Sequence, residues 1–221
     1  MRTNVFILSA SIILIGVLSS TEGCKNDREE ELIPDPVLDT KPLSIEQCEL
    51  AQSDLVSALP LYSNLYQNYL QYGRHLKNNG TSDKQFGEVV GGLFQQNVDS
   101  NIFANTCAAR VSHALNLSGN PIPYLEGKTS SGGNGFKYLF RVTDLTSYIY
   151  ENFGEPALEG KNMSDFVGKK GVIIFNTQGL WSDASGHATL WNCDTPLGGN
   201  YAENPSFYFD NSVNVMLWAA D

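Results

Sequence analysis

The sequence NTCAARVSHALN, residues 105–116, places a cysteine directly before a run with helical character. Val111, Ala114 and Leu115 recur at the spacing of one helix face, so this stretch predicts a helix that begins near Cys107. The unpaired N–H groups and the positive dipole end at a helix start favour a thiolate over a thiol. Cys107 is therefore either a nucleophile at a helix start or a small buried apolar residue, and the remainder of the chain has to distinguish the two.

Length, composition and charge limit the possible classes of protein. The chain has 221 residues, enough for one domain of ordinary size with tails, and 42% of them are hydrophobic. The formal net charge is −10 and no basic residues cluster, which argues against nucleic acid as a partner. The three histidines, without an HExxH or paired CxxC motif, predict neither a metal site nor a cofactor.

The N-terminus has the pattern of an export signal. The run VFILSASIILIGVL (5–18) has signal-peptide length and is too short for a comfortable membrane span. Gly23 before Cys24 resembles a bacterial lipoprotein signal, although Glu22 departs from that pattern. Residues 1–23 are thus predicted to be a signal peptide and Cys24 to be lipidated, so that the only membrane contact is an N-terminal lipid. A plain cleaved signal and a retained anchor are the alternatives.

An acidic, proline-containing tether is predicted over residues 24–43, followed by one domain over residues 44–221. The start of the tether, KNDREEELIPDP, resembles the surface-export tags of Bacteroidota lipoproteins, and a simple solvated tether would have the same composition. We therefore expect an exported protein, lipid-anchored in the cell envelope and facing either the periplasm or the cell surface.

The cysteine count suggests one pairing. With Cys24 lipidated, three of the four cysteines remain, and in an oxidising compartment the odd one is free or pairs with another chain. A disulfide between Cys48 and Cys193 that leaves Cys107 free is one consistent solution.

The hydrophobic pattern predicts helices first and antiparallel strands second, an α+β layout. Residues 86–106 have the composition of a loop with short apolar pieces. Helices are predicted from Ser44 to residue 79 with an interruption at Pro60, from Cys107 to residue 117 and over residues 143–154; strands are predicted over 138–142, 171–177, 186–192, 206–210 and 213–218.

A thiol nucleophile needs a base, and the histidines differ in their suitability. His75 lies in a polar helix end, and His113 is six residues after Cys107 on the same helix and on another side. His187 follows Gly186 at the start of a predicted strand, where glycine lets the backbone approach another group closely. From the residues alone, a Cys107–His187 dyad and a buried cysteine with a hydrogen-bonded core histidine both stay open.

Six sequence blocks resemble, in order and spacing, the fourth class of the type VI secretion amidase effector family. They extend over about residues 60–194 and are GEVVGGLFQQNV, FANTCAARVSHALN, SGNPIPY, YLFRVTDL, KKGVIIFN and WSDASGHATLWN. The resemblance implies a papain-like NlpC-type fold, with helices packed on a small antiparallel sheet and the nucleophile at a helix N-terminus. It also implies a peptidoglycan amidase that cuts the amide between the γ-carboxyl of D-glutamate and meso-diaminopimelate in the peptide stem.

The resemblance assigns roles to particular residues. Cys107 matches the nucleophile and His187 the base, while an aspartate that orients the imidazole matches Asp194. Asn200 or Glu203 takes this role if the loop is shifted.

Three further residues lie near the matched site in sequence. Trp181 and Arg110 are candidates for contact with the substrate, and Asp183 is a candidate for support of the histidine.

The signal peptide is a departure from the family, whose injected members usually lack one. The signal favours a resident wall enzyme or a surface-displayed enzyme over an injected effector, and the three alternatives stay open. An enzyme exported to its producer's own wall is expected either to be controlled there or to have an immunity protein as a partner. Cys193 borders Asp194, so a disulfide there would connect redox state to site geometry. A non-catalytic peptidoglycan-binding lipoprotein is the alternative function.

Overall fold

Five antiparallel strands form the sheet against which the helices pack. In the order in which they lie side by side, they are β3 (Leu158–Gly160), β7 (Asn214–Ala219), β4 (Lys169–Asn176), β5 (Gly186–Cys193) and β6 (Thr195–Pro196). The computed structural model describes residues 48, 55, 57–70, 82–103, 105–178, 185–198 and 206–221. The predicted signal peptide, lipidation site and tether lie outside the described residues.

Six helices and a small hairpin surround the sheet in the described part of the chain. The helices are α1 (Tyr62–Asn68), α2 (Asp83–Val90), α3 (Gly92–Asp99), α4 (Cys107–Leu117), α5 (Val142–Phe153) and α6 (Phe207–Asp210), and the hairpin pairs β1 (Thr129–Ser131) with β2 (Lys137–Leu139). A single 3-10 turn, Met163–Phe166, precedes β4. The expected α+β architecture is confirmed.

The central helix α4 is buried along nearly its whole length, from Cys107 through Asn116. Val111 and Leu115 belong to the core cluster on one face of the sheet, which also contains the β4 residues Val172 and Ile174, and the strand that the helix contacts most is β5. The alternate β4 side chains point to the opposite face, where a second cluster contains the aromatic residues Phe166, Phe175, Trp191, Tyr208 and Phe209. The sheet is thus covered on both faces, which explains the continuous apolar run of β4.

Polar side chains of α4 fasten the β2 hairpin to it. Ser112 Oγ accepts a hydrogen bond of 3.2 Å from the N–H of Leu139, and Asn116 Nδ2 donates to the carbonyl of Lys137 at 2.9 Å. Asn116 Oδ1 also accepts from the N–H of Ile122 at 2.7 Å. These buried bonds fix where the chain leaves β2 and enters α5, next to the start of α4.

The loop predicted over residues 86–106 is wrong, because the chain forms α2 and α3 there. Ser82 and Gln85 form a capping box at the start of α2, with reciprocal bonds of 3.0 and 3.2 Å. Gly91, at φ +69, separates the two helices with a backbone conformation that other residues adopt at a cost. The short apolar pieces in this segment are parts of the two helices. Phe86 of α2 and Phe94 of α3 form an aromatic contact between them.

The strand predicted over residues 206–210 is also wrong, because this segment is the short helix α6. Its residues Tyr208 and Phe209 are both buried, which alternation in a half-buried strand would not allow. Ser206 Oγ donates to Asp210 Oδ2 across the turn. The strands predicted over residues 171–177, 186–192 and 213–218 and the helix over residues 143–154 are confirmed within one or two residues.

A disulfide joins Cys48 to Cys193, with 5.7 Å between the two Cα atoms, and Cys107 is free. The pairing that the cysteine count suggested is therefore the one in the structure. Within the described ranges, no helix is long and apolar enough to cross a membrane, and no group of His, Cys, Asp or Glu side chains is placed to hold a metal ion.

Candidate active site

Cys107 is the first residue of α4, and its thiol lies between two backbone N–H donors. One donor is Ala108 in the first turn of the helix, and the other is Ala188 on β5, the residue after His187. The N–H of Cys107 itself donates to Asn105 Oδ1 at 3.0 Å. The sulfur is therefore held where a negative charge on it would be stabilised, against the strand that carries the histidine.

Burial keeps this thiol protonated in the structure. Cys107 is 3% exposed, and burial raises its pKa to about 11. The two backbone donors and the guanidinium of Arg110 act in the opposite direction, while the carboxylate of Asp83 adds to the rise. Hydrogen bonding and the positive charge of Arg110 thus favour the thiolate, and the larger effect of burial favours the neutral thiol.

His187 is the second residue of β5 and is 4% exposed. Its imidazole is stacked on the ring of Tyr208, with 4.3 Å between the centroids and 20° between the planes, and Phe175 lies 6.3 Å away. Burial, followed by the charge of Arg110, lowers the pKa of His187 to about 3. Nε2 is buried without a hydrogen-bond partner among the described residues, which is unusual for a structural histidine.

The start of β5 passes very close to β4, as its glycine predicted. A Cβ on Gly186 would lie 2.4 Å from the carbonyl oxygen of Phe175, so only glycine fits there. Two residues further along β5, the N–H of Ala188 is hydrogen-bonded to the sulfur of Cys107. The side chains of Cys107 and His187 share no hydrogen bond in the structure, which is common in catalytic sites without substrate.

Arg110 does not face the substrate groove, so the prediction that it contacts substrate is corrected. It lies one helical turn after Cys107, and its side chain has no solvent exposure. Its guanidinium donates to the carbonyl of Leu70 at 2.8 Å and lies 4.6 Å from the centre of the Phe86 ring. It is a buried cation beneath the nucleophile and has no route to a ligand in the groove.

This buried cation fixes the residue before the nucleophile. Arg110 Nε donates to Thr106 Oγ1 at 2.9 Å, and Thr106 donates from its N–H and its hydroxyl to Asp83 Oδ1 at 3.2 and 2.5 Å. Asp83 completes the group with a 3.7 Å ion pair to the guanidinium. The helix start that carries Cys107 is therefore held by a charged, largely buried network that no local sequence pattern predicts.

Asp194 lies after the last residue of β5, whereas His187 lies near its first. Residues of a strand are spaced by about 3.3 Å, so the backbones of the two are separated by roughly 20 Å. The expected contact between this carboxylate and the imidazole is absent. The other candidates for the site, Trp181, Asp183, Asn200 and Glu203, lie outside the described residues.

An open groove runs past the thiol in three adjoining segments, with volumes of about 530, 260 and 250 Å³. Cys107 lines the middle segment. The middle segment shares Asn105, Phe140 and Arg141 with the largest one, and Val142 and Ser185 with the third. A nucleophile halfway along an extended groove suits a substrate that continues on both sides of the bond to be broken.

Sequence reasoning missed several residues of this site. The sequence pattern places Tyr208 and Arg141 in predicted strands and predicts no role in the site for either residue. Asn105 carried a usable signal, since an Asn two residues before a helix start commonly accepts a backbone N–H.

A family model described as type VI secretion system amidase effector protein 4 matches residues 103–218. Solved structures of such effectors are also similar. The effector from Salmonella typhimurium, in complex with the immunity protein Tai4 from Enterobacter cloacae, is 28% identical, with a TM-score of 0.62 over 73% of this chain and 99% of that one. The effector from Enterobacter cloacae alone is 28% identical, with a TM-score of 0.61 over 75% of this chain and 100% of that one. No curated protein matches.

Proposed function

This chain belongs to the type VI secretion system amidase effector protein 4 family of peptidoglycan amidases, with a papain-like NlpC-type fold, and on that premise we propose that it cleaves the γ-D-glutamyl–meso-diaminopimelate amide. The observation that carries the proposal is the position of Cys107. It is a free thiol at the start of an 11-residue helix, held between two backbone N–H groups and beside the strand of His187. The helix start and these two donors stabilise the negative charge that develops on the sulfur when the buried thiol gives up its proton.

The proposed reaction begins from a neutral pair, because burial disfavours both the thiolate of Cys107 and the imidazolium of His187. His187 takes the thiol proton as the sulfur attacks the γ-carbonyl carbon of D-glutamate. The imidazolium then gives that proton to the departing diaminopimelate amine, which leaves a thioester on Cys107. Water adds to the thioester with His187 as the base, and the free thiol returns with the γ-carboxylic acid.

The oxyanion of the tetrahedral intermediate forms at the start of α4. The N–H groups of the first turn point toward this position, and the N–H of Cys107 is occupied by Asn105 Oδ1 in the structure. We infer that the substrate carbonyl displaces the Asn105 side chain and takes over this donor. Asn105 would then satisfy the N–H until the substrate arrives.

Asn200 and Glu203 remain as proposals for the residue that orients His187. After β5 the chain turns back in β6, and the N–H of Leu197 donates to the carbonyl of Leu190 at 2.7 Å. At Gly198, the last residue of the described range 185–198, the chain is therefore directed toward the His187 end of β5. Asn200→Ala and Glu203→Ala variants should separate the two, with the larger loss of kcat at the residue that fixes the imidazole.

Digestion of isolated sacculi distinguishes an amidase from a wall-binding protein. Wild type and Cys107→Ala should both sediment with the sacculi, and only the wild type should release soluble diaminopimelate-containing fragments. Binding by both proteins without release would favour the non-catalytic alternative. Release by both would remove Cys107 from the mechanism while leaving the amidase activity intact.

We also propose that the enzyme is exported and anchored by a lipid on Cys24. The support is the sequence alone: an apolar run of signal length, Gly23 before Cys24, and an acidic segment like those of Bacteroidota lipoproteins. Labelled palmitate should enter the wild-type chain and not Cys24→Ala. Label in both chains, or in neither, would contradict the anchor.

An immunity protein is the proposed protein partner. The similar effectors from Salmonella typhimurium and Enterobacter cloacae are found in complexes with the immunity protein Tai4. An exported amidase meets the wall of its producer, so an inhibitor that covers the groove would protect that wall. Deleting a neighbouring reading frame of this kind should sensitise the producer to the wild-type enzyme and leave it resistant to Cys107→Ala.

A further inference from the structure

One charged side chain lines the groove in the part of the chain that the structure describes. The lining of the three segments is otherwise uncharged and consists of Asn, Thr, Ser and apolar residues. The exception is Arg141, which lies where the largest segment joins the segment that contains Cys107. In a protein with a formal net charge of −10, a cation at this place requires an explanation.

Arg141 is held in place on three sides. Its Nε donates to Asp144 Oδ2 and its Nη2 to the carbonyl of Gly127, both at 2.5 Å. Its guanidinium carbon lies 4.9 Å from the centre of the Phe140 ring, which is itself stacked on Phe103 at 4.6 Å. The guanidinium is therefore fixed before any ligand binds, which reduces the entropy cost of using it.

The fixed guanidinium keeps donors available. Arginine has five N–H groups, and Nη1 of Arg141 donates to no acceptor among the described residues. The side chain is 53% exposed, whereas its partner Asp144 is 15% exposed. The acid therefore stabilises the orientation from the protein side, and the open N–H groups are left for an anion in the groove.

The substrate of the proposed function carries an anion close to the scissile bond. When D-glutamate is linked through its γ-carboxyl, its α-carboxyl stays free, separated from the reacting carbonyl only by the two side-chain methylenes and Cα. A guanidinium matches a carboxylate in charge and geometry and binds it through charge-assisted hydrogen bonds. With the γ-carbonyl at Cys107, this carboxylate is within the neighbourhood that Arg141 lines.

We propose that Arg141 binds the free α-carboxylate of the γ-linked D-glutamyl residue and so selects stems in which this group is not amidated. The inference rests on the proposed function, since it names the substrate feature that the same site reads. An α-carboxamide has no negative charge, and its NH2 group would face the donors of the guanidinium. The enzyme should therefore reject stems that contain D-isoglutamine.

Two matched substrates test the proposal in the full-length protein: L-alanyl-γ-D-glutamyl-diaminopimelate and the same tripeptide with an α-carboxamide. Wild type should prefer the carboxylate form by at least about tenfold in kcat/KM, the scale of one charge-assisted hydrogen bond. Arg141→Gln should slow cleavage of the carboxylate form and abolish the preference. Arg141→Lys should restore part of it, because the charge returns without the fork geometry.

The matched control is Lys161→Gln, which removes one positive charge from an exposed position that does not line the groove. It should leave the preference unchanged. Equal slowing of both substrates by Arg141→Gln, or a carboxylate preference that survives it, would overturn the proposal. Thermal unfolding of each variant shows whether the fold is kept.

A binding measurement separates this inference from the proposed reaction. In a Cys107→Ala background, calorimetry with the two tripeptides reports carboxylate recognition without any hydrolysis. Preference for the carboxylate form that disappears with Arg141→Gln supports the site even if the wild type cleaves a different bond. If the Cys107→Ala protein that retains Arg141 binds both tripeptides with equal affinity, the inference is refuted even if the wild type cleaves the glutamyl amide.

Discussion

Two histidines buried in neutral form should make the fold sensitive to mild acid. Burial lowers the pKa of His187 to about 3 and that of His113 to about 4, from an ordinary value of 6.5. Unfolding exposes both imidazoles to water, where they bind protons below pH 6.5. The unfolded state therefore binds more protons, and the stability present above pH 6.5 is lost as the pH falls toward 4 and then 3.

The loss of unfolding free energy at pH 5.0 follows from the pKa of 6.5 of an exposed imidazole. Both folded-state pKa values lie below pH 5.0, so the folded histidines stay neutral there. Protonation of one unfolded imidazole over about 1.5 pH units contributes about 2 kcal/mol, at 1.36 kcal/mol per unit. The pair together should remove about 4 kcal/mol between pH 7.5 and pH 5.0. That loss is a large share of the stability of an ordinary domain.

The assay is equilibrium urea unfolding of wild type, His187→Gln and His113→Gln at the two pH values. Each substitution removes one titrating imidazole, and all other groups cancel when the pH dependence of a variant is subtracted from that of wild type. Each variant should lose about 2 kcal/mol less than wild type between pH 7.5 and 5.0. His113 provides the independent case, because its Nδ1 contacts the Tyr138 hydroxyl at 3.1 Å, away from the proposed chemistry.

The reasoning is refuted for His187 if wild type and His187→Gln lose the same free energy of unfolding over this pH range. A proton titration near pH 6.5 in the NMR signals of the folded His187 ring would refute it independently. Either result would mean that the imidazole is hydrated or charged at rest, and the reaction would then begin from an ion pair.

Four further outcomes are expected. Tyr208→Leu should lower kcat on the order of tenfold by freeing the His187 ring, while Tyr208→Phe, which keeps the stack, stays near wild type; equal loss in both would assign the effect to the hydroxyl. Arg110→Met should cost about 1–3 kcal/mol in urea unfolding, because it leaves the Thr106 hydroxyl and the Leu70 carbonyl without their donor, while Asp83 is partly exposed to water; an unchanged free energy of unfolding would contradict this. Reduction of the disulfide, which joins residues 145 apart, should cost about 5 kcal/mol of stability with kcat unchanged under conditions where the protein stays folded; a matching change in kcat would connect redox state to the site. Asp194→Asn should keep activity within about twofold, and a much larger loss would return this residue to the mechanism.

The strands and the central helix were predictable because their patterns have one interpretation. β4 is a run of branched apolar residues, and α4 begins at a cysteine that follows an Asn-Thr pair and continues with helical spacing. A close backbone approach at Gly186 was expected from the glycine before His187, and the group approached is the carbonyl of Phe175 on β4.

Other parts depend on tertiary contacts that no local pattern records. The short helix α6 is rich in aromatic residues, which favour strands. It is helical because Tyr208 and Phe209 are both buried in the aromatic cluster on the face of the sheet opposite α4. Arg110 looks like a surface residue in sequence, yet four residues from three separate segments of the chain supply its acceptors, its ion pair and its ring partner. Asp194 failed for a geometric reason, because closeness in sequence to His187 along a strand means separation in space.

The central claim is that Cys107 cleaves one particular amide, and mass spectrometry of the products from a single purified muropeptide tests it most directly. With the N-acetylmuramyl tetrapeptide as substrate, wild type should yield N-acetylmuramyl-L-alanyl-D-glutamate and the dipeptide diaminopimelyl-D-alanine, and Cys107→Ala should yield neither. Cleavage at a different bond, or the same two products from Cys107→Ala, would contradict the account.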